Sequence, residues 1–169
     1  PDNAHPIVKN LDLIRLDYCS TIDTIKANGI KKTILLKTSR YTKTQPTPAR
    51  LFLASVQYKP TPKQYNNPYL PVAVLLEGSF NSFVEYRLPN SLLSDSNFKY
   101  IDKGKPTKQI IVANGDVARN DISKSTGQLF PLGYDKFTRQ TFANKTFLIN
   151  CVNYLLDDEG LLQLRTREV

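Results

Sequence analysis

The sequence contains neither methionine nor tryptophan, and it has one histidine, two cysteines and seven glycines. Each shortage excludes something. One histidine and two distant cysteines, Cys19 and Cys151, cannot assemble a zinc site of the usual spacing. A Cys–His nucleophilic site would have to draw on His5, with Cys19 its candidate partner, yet no Gly-rich oxyanion turn follows Cys19. There is no G-x-S-x-G elbow and no G-x-G-x-x-G phosphate turn. No apolar run approaches the ~20 residues of a membrane span, and no signal peptide is visible. A chain that starts at Pro1 and lacks methionine reads as a fragment or a processed product of a longer protein.

What is present is an ordinary soluble composition, 40% apolar and 22% charged. The 169 residues suffice for one α/β domain, or the larger part of one, with a real core. The net charge is +8, from 23 Lys and Arg against 15 Asp and Glu. That excess admits nucleic acid or an anionic membrane surface as partner. The basic residues are nevertheless spread out, as in Lys31-Lys32, Lys103-Lys105-Lys108 and Arg165-Arg167, with no nucleic-acid-binding motif among them. A solvated basic surface is the simpler reading, and nucleic acid is not expected. Cys19 and Cys151 could pair, stay free in the core, or include a nucleophile. Cys151 lies in an apolar helical pattern, which favours packing.

Several segments have clear patterns. Residues 1–10 form a turn-rich start. Leu13 to Tyr18 alternates, with Ile14, Leu16 and Tyr18 on one side and Arg15 and Asp17 on the other, which predicts a strand. Asn28-Gly29 predicts a turn. Lys31 to Thr38 and Val72 to Leu76 predict strands, the second a central one because its apolar run is unbroken. Leu51 to Gln57 predicts a short strand. Residues 39–50 and 59–71, with their prolines, predict loops. Asn144 to Leu156 is the strongest helix. Asn144 is expected at its N-cap, and Phe147, Leu148, Cys151, Val152 and Leu155 on its apolar face. Gly160 suits its end, and Leu161 to Arg165 predicts a last strand. The fold class expected is α/β, with a mostly parallel or mixed central sheet and flanking helices.

The stretch Lys108 to Asn120, KQIIVANGDVARN, is the centre of this pattern. A buried strand, Ile110 to Ala113, runs into Asn114-Gly115-Asp116, and ligands in α/β sheets are held at that end of a strand. No cofactor is called for. Asp116 would repel an anion, and the turn carboxylates Asp116, Asp121, Asp157 and Asp158 read as caps and solvated groups before they read as metal ligands. No metal site is expected. The long stretch 121–143 carries Phe130, Tyr134, Phe137 and Phe142, and the 58–71 loop carries Tyr58, Tyr65 and Tyr69. Such aromatics suit protein contacts, or they pin the loops to the sheet. The candidate rim for a ligand or partner is Asn114, Gly115, Asp116, Arg119, Tyr134 and Phe137, with no catalytic residue assigned.

HPIVKNL (5–11), STIDTI (20–25), IKKTILLKTS (30–39), PVAVLLEGSFNS (71–82), IIVANGDVARN (110–120) and the run from Phe142 to Val169 together resemble the gliding-motility protein GldG family, in order along nearly the whole chain. The resemblance implies the extracytoplasmic part of an accessory protein of an ABC-type transport system in Bacteroidetes. It implies membrane anchoring through segments outside this chain, with the domain on the periplasmic side of the inner membrane. Its partners would be transporter membrane and ATPase subunits or other envelope proteins. The region is also similar to degenerate class I glutamine-amidotransferase-like domains of non-enzymatic scaffolds. The family supplies no catalytic set to carry over. The other reading is a hydrolase or transferase of amidotransferase-like fold using Cys19 or a carboxylate site.

Overall fold

The computed structural model describes residues 5–157, apart from Leu51, Tyr58, Ser94, Ser96 and Asn97. Three strands, β1 (Ile30–Lys37), β2 (Pro71–Gly78) and β3 (Thr107–Val112), form a sheet in the order β1-β2-β3. Both pairings are antiparallel: Ile34 lies opposite Val74, and Val74 opposite Ile111. The content is mixed α/β, but the expected parallel arrangement is corrected. Central strands buried on both faces have the same apolar run whichever way their neighbours point. The long connections 38–70 and 79–106 could have held crossovers. Instead they hold the 3-10 turns Leu53–Gln57 and Pro62–Gln64 and one short helical turn, α1 (Asn90–Leu93). The strand expected over Leu51 to Gln57 is thus a 3-10 turn from Leu53 onward.

β2 is the centre of the molecule. Val72, Ala73, Val74 and Leu75 are all buried, as the unbroken apolar run requires. The register of β1 slips between Ile34 and Leu36, a bulge that lets Leu35 and Leu36 both turn inward. The helix α2 (Asn144–Leu156) lies against this sheet, and the core joins Ile7, Val8, Leu35, Ala73, Leu75, Val117, Phe147 and Cys151. Each of the Ile, Val, Leu and Phe side chains among them, taken fully out of water, contributes on the order of 1.5–3 kcal/mol.

Two details of α2 differ from expectation. Asn144 is the first helical residue and Ala143 the cap. The Asn144 amide bonds across to the backbone of Arg15 instead of folding back on its own first turn. Val152 is 54% exposed, so the buried stripe runs through Asn144, Phe147 and Cys151, with Leu148 and Tyr154 packed beside it. The residues expected as a last strand, Leu161 to Arg165, and the helix stop at Gly160 lie outside the described residues.

The segment Leu13 to Tyr18 is not a strand: residues 13–16 have no ladder partner, Asp17 and Tyr18 form a bend in which Tyr18 has φ +50°, and Tyr18 is 87% exposed while Ile14 and Leu16 pack against the core. Its backbone partners are scattered. Ala143 N–H donates to Leu13 O, Asn144 takes both polar groups of Arg15, and Asn114 donates to Asp17 O. An alternating sequence sets which side chains face inward, but here side-chain amides stand where a strand ladder would be. Within 121–143, an isolated bridge joins Ile122 and Leu129, and β4 (Tyr134–Asp135) pairs with β5 (Gln140–Thr141).

Candidate functional site

At the end of β3 the chain leaves the sheet through Asn114 into a 3-10 turn, Gly115–Ala118. Asn114 itself is extended, with φ −149° and ψ 115°. Gly115 has no left-handed φ, and a Cβ there would meet nothing within 4 Å. Glycine is therefore not sterically required in this turn, contrary to the reading of Asn-Gly as a tight turn. Gly133 is the position that needs glycine. Its φ is +82°, and a Cβ would come within 2.7 Å of Phe142 O and 3.1 Å of Asn144 Oδ1. The Gly133 backbone can thus lie close to Asn144 and close one wall of a cleft.

That cleft, of about 40 Å³, is lined by Arg15, Asp17, Asn114, Asp116, Arg119 and Asp121, with Pro131, Gly133, Tyr134 and Asn144 closing it. Its charges are held in place. Arg15 makes a two-point contact with Asp17 (Nε–Oδ1 3.2 Å, Nη2–Oδ2 2.7 Å), and Nη1 donates to Tyr134 O at 2.9 Å. Asp135 stands 3.5 Å from the same Nη1. The Asp17 hydrogen bond and the surrounding carboxylates raise the Arg15 pKa. The Asp135 carboxylate is held below the usual range by the Thr138 hydroxyl, the Phe137 N–H and Arg15. Arg119 pairs with Asp116 at 2.9 Å, but both side chains are more than half exposed. Such a pair contributes only about 0.3–0.5 kcal/mol.

Asn114 is the unusual member. It is 91% buried, and Nδ2 donates to Asp17 O at 2.5 Å. Its Oδ1 is buried and accepts no hydrogen bond. A buried acceptor left unmade costs on the order of 1–3 kcal/mol, more than the exposed Arg119–Asp116 pair contributes.

Of the six residues expected at the rim, Asn114, Asp116, Arg119 and Tyr134 line the cleft. Gly115 lies in the turn beside it. Phe137 does not reach it. It is 82% exposed at the β4–β5 tip, with Lys136 Nζ 5.3 Å from its ring centroid. Tyr134 stacks on Phe130 at 4.9 Å, so these two aromatics pin the loop. Arg15, Asp17, Asp121, Pro131, Gly133 and Asn144 were not expected there. The polar side of the 13–18 alternation marked Arg15 and Asp17 as a pair on one face, but nothing in the sequence brings that face to residues 114–121.

Cys19 lies elsewhere, on an apolar groove of about 640 Å³ lined chiefly by Leu13, Ile14, Leu16, Leu36, Val72 and Phe142. Its thiol donates to Ser20 O and Ala113 O, and burial raises its pKa. His5 accepts from the Ile7 N–H and meets the Tyr154 ring edge-on at 5.0 Å. Tyr154 in turn lies under Lys108 Nζ and donates to Glu77. Between Lys108 and Ala113, β3 advances about 16 Å at ~3.3 Å per residue, so His5 and Cys19 hold contacts at opposite ends of the sheet. Among the described residues no three His, Cys, Asp or Glu side chains converge as a metal site, and no helix is long and apolar enough to cross a membrane.

Residues 1–151 match the family described as an ABC-type uncharacterized transport system, and the chain belongs to that family. The family is one of transport-system auxiliary proteins, which gives the chain an accessory role in ABC-type transport. No curated protein and no solved structure matches the chain.

Proposed function

We propose that the chain is a non-catalytic, extracytoplasmic domain of an ABC-transporter accessory protein serving gliding motility or a related export process. In this reading it is anchored at the inner membrane, faces the periplasm, and works through protein or ligand contacts at the 114–121 rim. The observation that carries the reading is the family match over residues 1–151, together with a cleft of fixed charges at the end of β3. The enzyme alternative draws little support from the geometry. The Cys19 thiol is made less acidic by burial and bonds to two carbonyls, and His5 has its contacts at the far end of the sheet.

The test is retrieval of the full-length protein from native membranes. Transporter membrane and ATPase subunits are expected to come with it. Recovery of neither would count against the reading. The periplasmic placement has its own check: protease added outside spheroplasts should reach this domain, and full protection would put it on the other side.

A further inference from the structure

The three-stranded sheet has two edges, and they are built differently. β1, at one edge, carries Lys31, Lys32 and Lys37 and slips register between Ile34 and Leu36. Lysines and a bulge keep a further strand from adding to an edge. β3, at the other edge, has no bulge: its register against β2 is unbroken from Thr107 to Val112. Its one lysine, Lys108, is drawn inward onto Tyr154 O and Asp157 O. Ala113 N–H donates to Val72 O, in register with the pairing of Val112 and Ala73. Bonded residues alternate along an antiparallel ladder, so Thr107, Gln109 and Ile111 bond to β2 while Lys108, Ile110 and Val112 turn their backbone groups outward. Among the described residues nothing bonds the outward N–H and C=O of Ile110 or Val112. The helix beside this edge is uncovered on the same side. Asn150 Nδ2 donates to Ile7 O, and Tyr154 meets His5 and Glu77, so that flank of α2 faces β2 and the first turn. At 3.6 residues per turn, Ile149, Val152 and Leu156 fall on the other flank, toward the free edge of β3, and they are 47%, 54% and 76% exposed.

We propose that β3 pairs with β3 of a second copy of this chain, antiparallel about a two-fold axis at Ile110, and that the two sheets become one. A row of outward N–H and C=O groups is met by an extended backbone, which an ion or a small molecule does not supply. The outward set is complementary to itself. An axis at Ile110 sets Ile110 opposite Ile110 of the second copy and Lys108 opposite its Val112, with two N–H···O bonds per pair and about six in all. No lysine on β3 then faces a lysine, and Gln109 lies opposite Ile111 of the second copy. The axis stands perpendicular to the sheet, so both copies of α2 lie on one face. Their stripes of Ile149, Val152 and Leu156 turn toward each other across the new pairing. The contact is about 20 Å long at ~3.4 Å per residue and two layers deep, on the order of 400 Å² of footprint per copy. That is below the ~800 Å² per partner of a standard interface, so the pair is a reversible one. It uses neither the 114–121 rim nor its charges.

The test measures mass by sedimentation velocity and amide hydrogen exchange on the full chain, between about 10 µM and about 1 mM. A dimer is expected at the upper concentration. The Ile110 and Val112 amides should exchange freely when dilute and about fivefold or more slowly when concentrated. The Gln109 and Ile111 amides, bonded to β2, should be protected at both concentrations and serve as the internal control. Gln109→Lys combined with Ile111→Lys sets two like-charged pairs across the join and should weaken the dimer at least about tenfold. Val152→Lys combined with Leu156→Lys, at exposed positions of α2, serves as the second variant should the first unfold, and should weaken it in the same direction. A monomer at about 1 mM with freely exchanging edge amides would overturn the proposal. Protection of those amides at every dilution would also overturn it, by showing that the chain covers its own edge. So would a dimer unchanged in a folded variant, by placing the interface elsewhere.

Discussion

The side-chain amide of Asn144 accepts from Arg15 N–H at 2.9 Å and donates to Arg15 O at 2.8 Å, in a residue that is 96% buried. Asn144→Ala should strand both backbone groups and cost on the order of 2–4 kcal/mol, read as a lower urea midpoint with an unchanged slope. Gly133→Ala, with φ +82° and a Cβ 2.7 Å from Phe142 O, should destabilise by a comparable amount. Gly115→Ala, with ordinary φ and open space, should change stability by less than about 0.5 kcal/mol. The thiols differ in the same readable way. Burial pushes Cys151 up to about 12, and Cys19 is raised but only partly covered. Under mild alkaline conditions a thiol reagent should therefore label Cys19 slowly and Cys151 only after unfolding. Labelling in the opposite order would contradict the packing of α2. Of these residue-scale roles only the packing of Cys151 was legible beforehand, from its place in an apolar helical pattern. Asn144 reads in sequence as a helix cap because caps are local, whereas its actual partner lies 129 positions away.

At the scale of elements, the strands were legible and their directions were not. β1 and β2 announce themselves as apolar runs, since burial on a sheet selects the same side chains in either orientation, whereas β3, expected to be buried, is an edge strand with Ile111 45% exposed. Orientation is decided by how the connections travel, and polar, proline-rich connections carry no periodic signal. The helix was legible in its extent, but its buried stripe is rotated from the expected one because Tyr154 and Asn144, both polar-tipped, pack inward. Phe147→Ala should cost about 3–5 kcal/mol, whereas Val152→Ala should cost less than about 0.5 kcal/mol, a contrast that denaturant titration can check. The contact between the first turn and the C-terminal end of α2 should respond to pH. Burial holds the His5 imidazole below its ordinary 6.5. As pH falls through 6.5 the unfolded chain takes up a proton that the folded chain refuses until lower pH, so stability falls across that window. His5→Gln should flatten this part of the profile, measured by urea midpoints from about pH 7.5 to about pH 5.

For the whole molecule, the family match gives an accessory role in ABC-type transport, and the contact surface proposed for it is the cleft at the end of β3. Cys19→Ser and His5→Gln should each leave retrieval of transporter subunits unchanged. Loss in both would restore the paired-nucleophile alternative. Four of the six rim residues expected from sequence line the cleft, because a strand end gathers its following turn. Asp121 follows the same turn, and the remaining wall, Arg15, Asp17, Pro131, Gly133 and Asn144, is brought there only by the tertiary path. That path also has a mechanical side. Ile7 O takes Asn150 Nδ2, Leu13 O takes Ala143 N–H, and Arg15 takes both ends of the Asn144 amide. A pull applied between residues 5 and 157 would load this seam together with the bonds from Lys108 to Tyr154 O and Asp157 O, which tie the end of α2 to β3. The cleft, whose Arg15 belongs to the seam, would be strained along with it, and so would the edge of the core at Ile7.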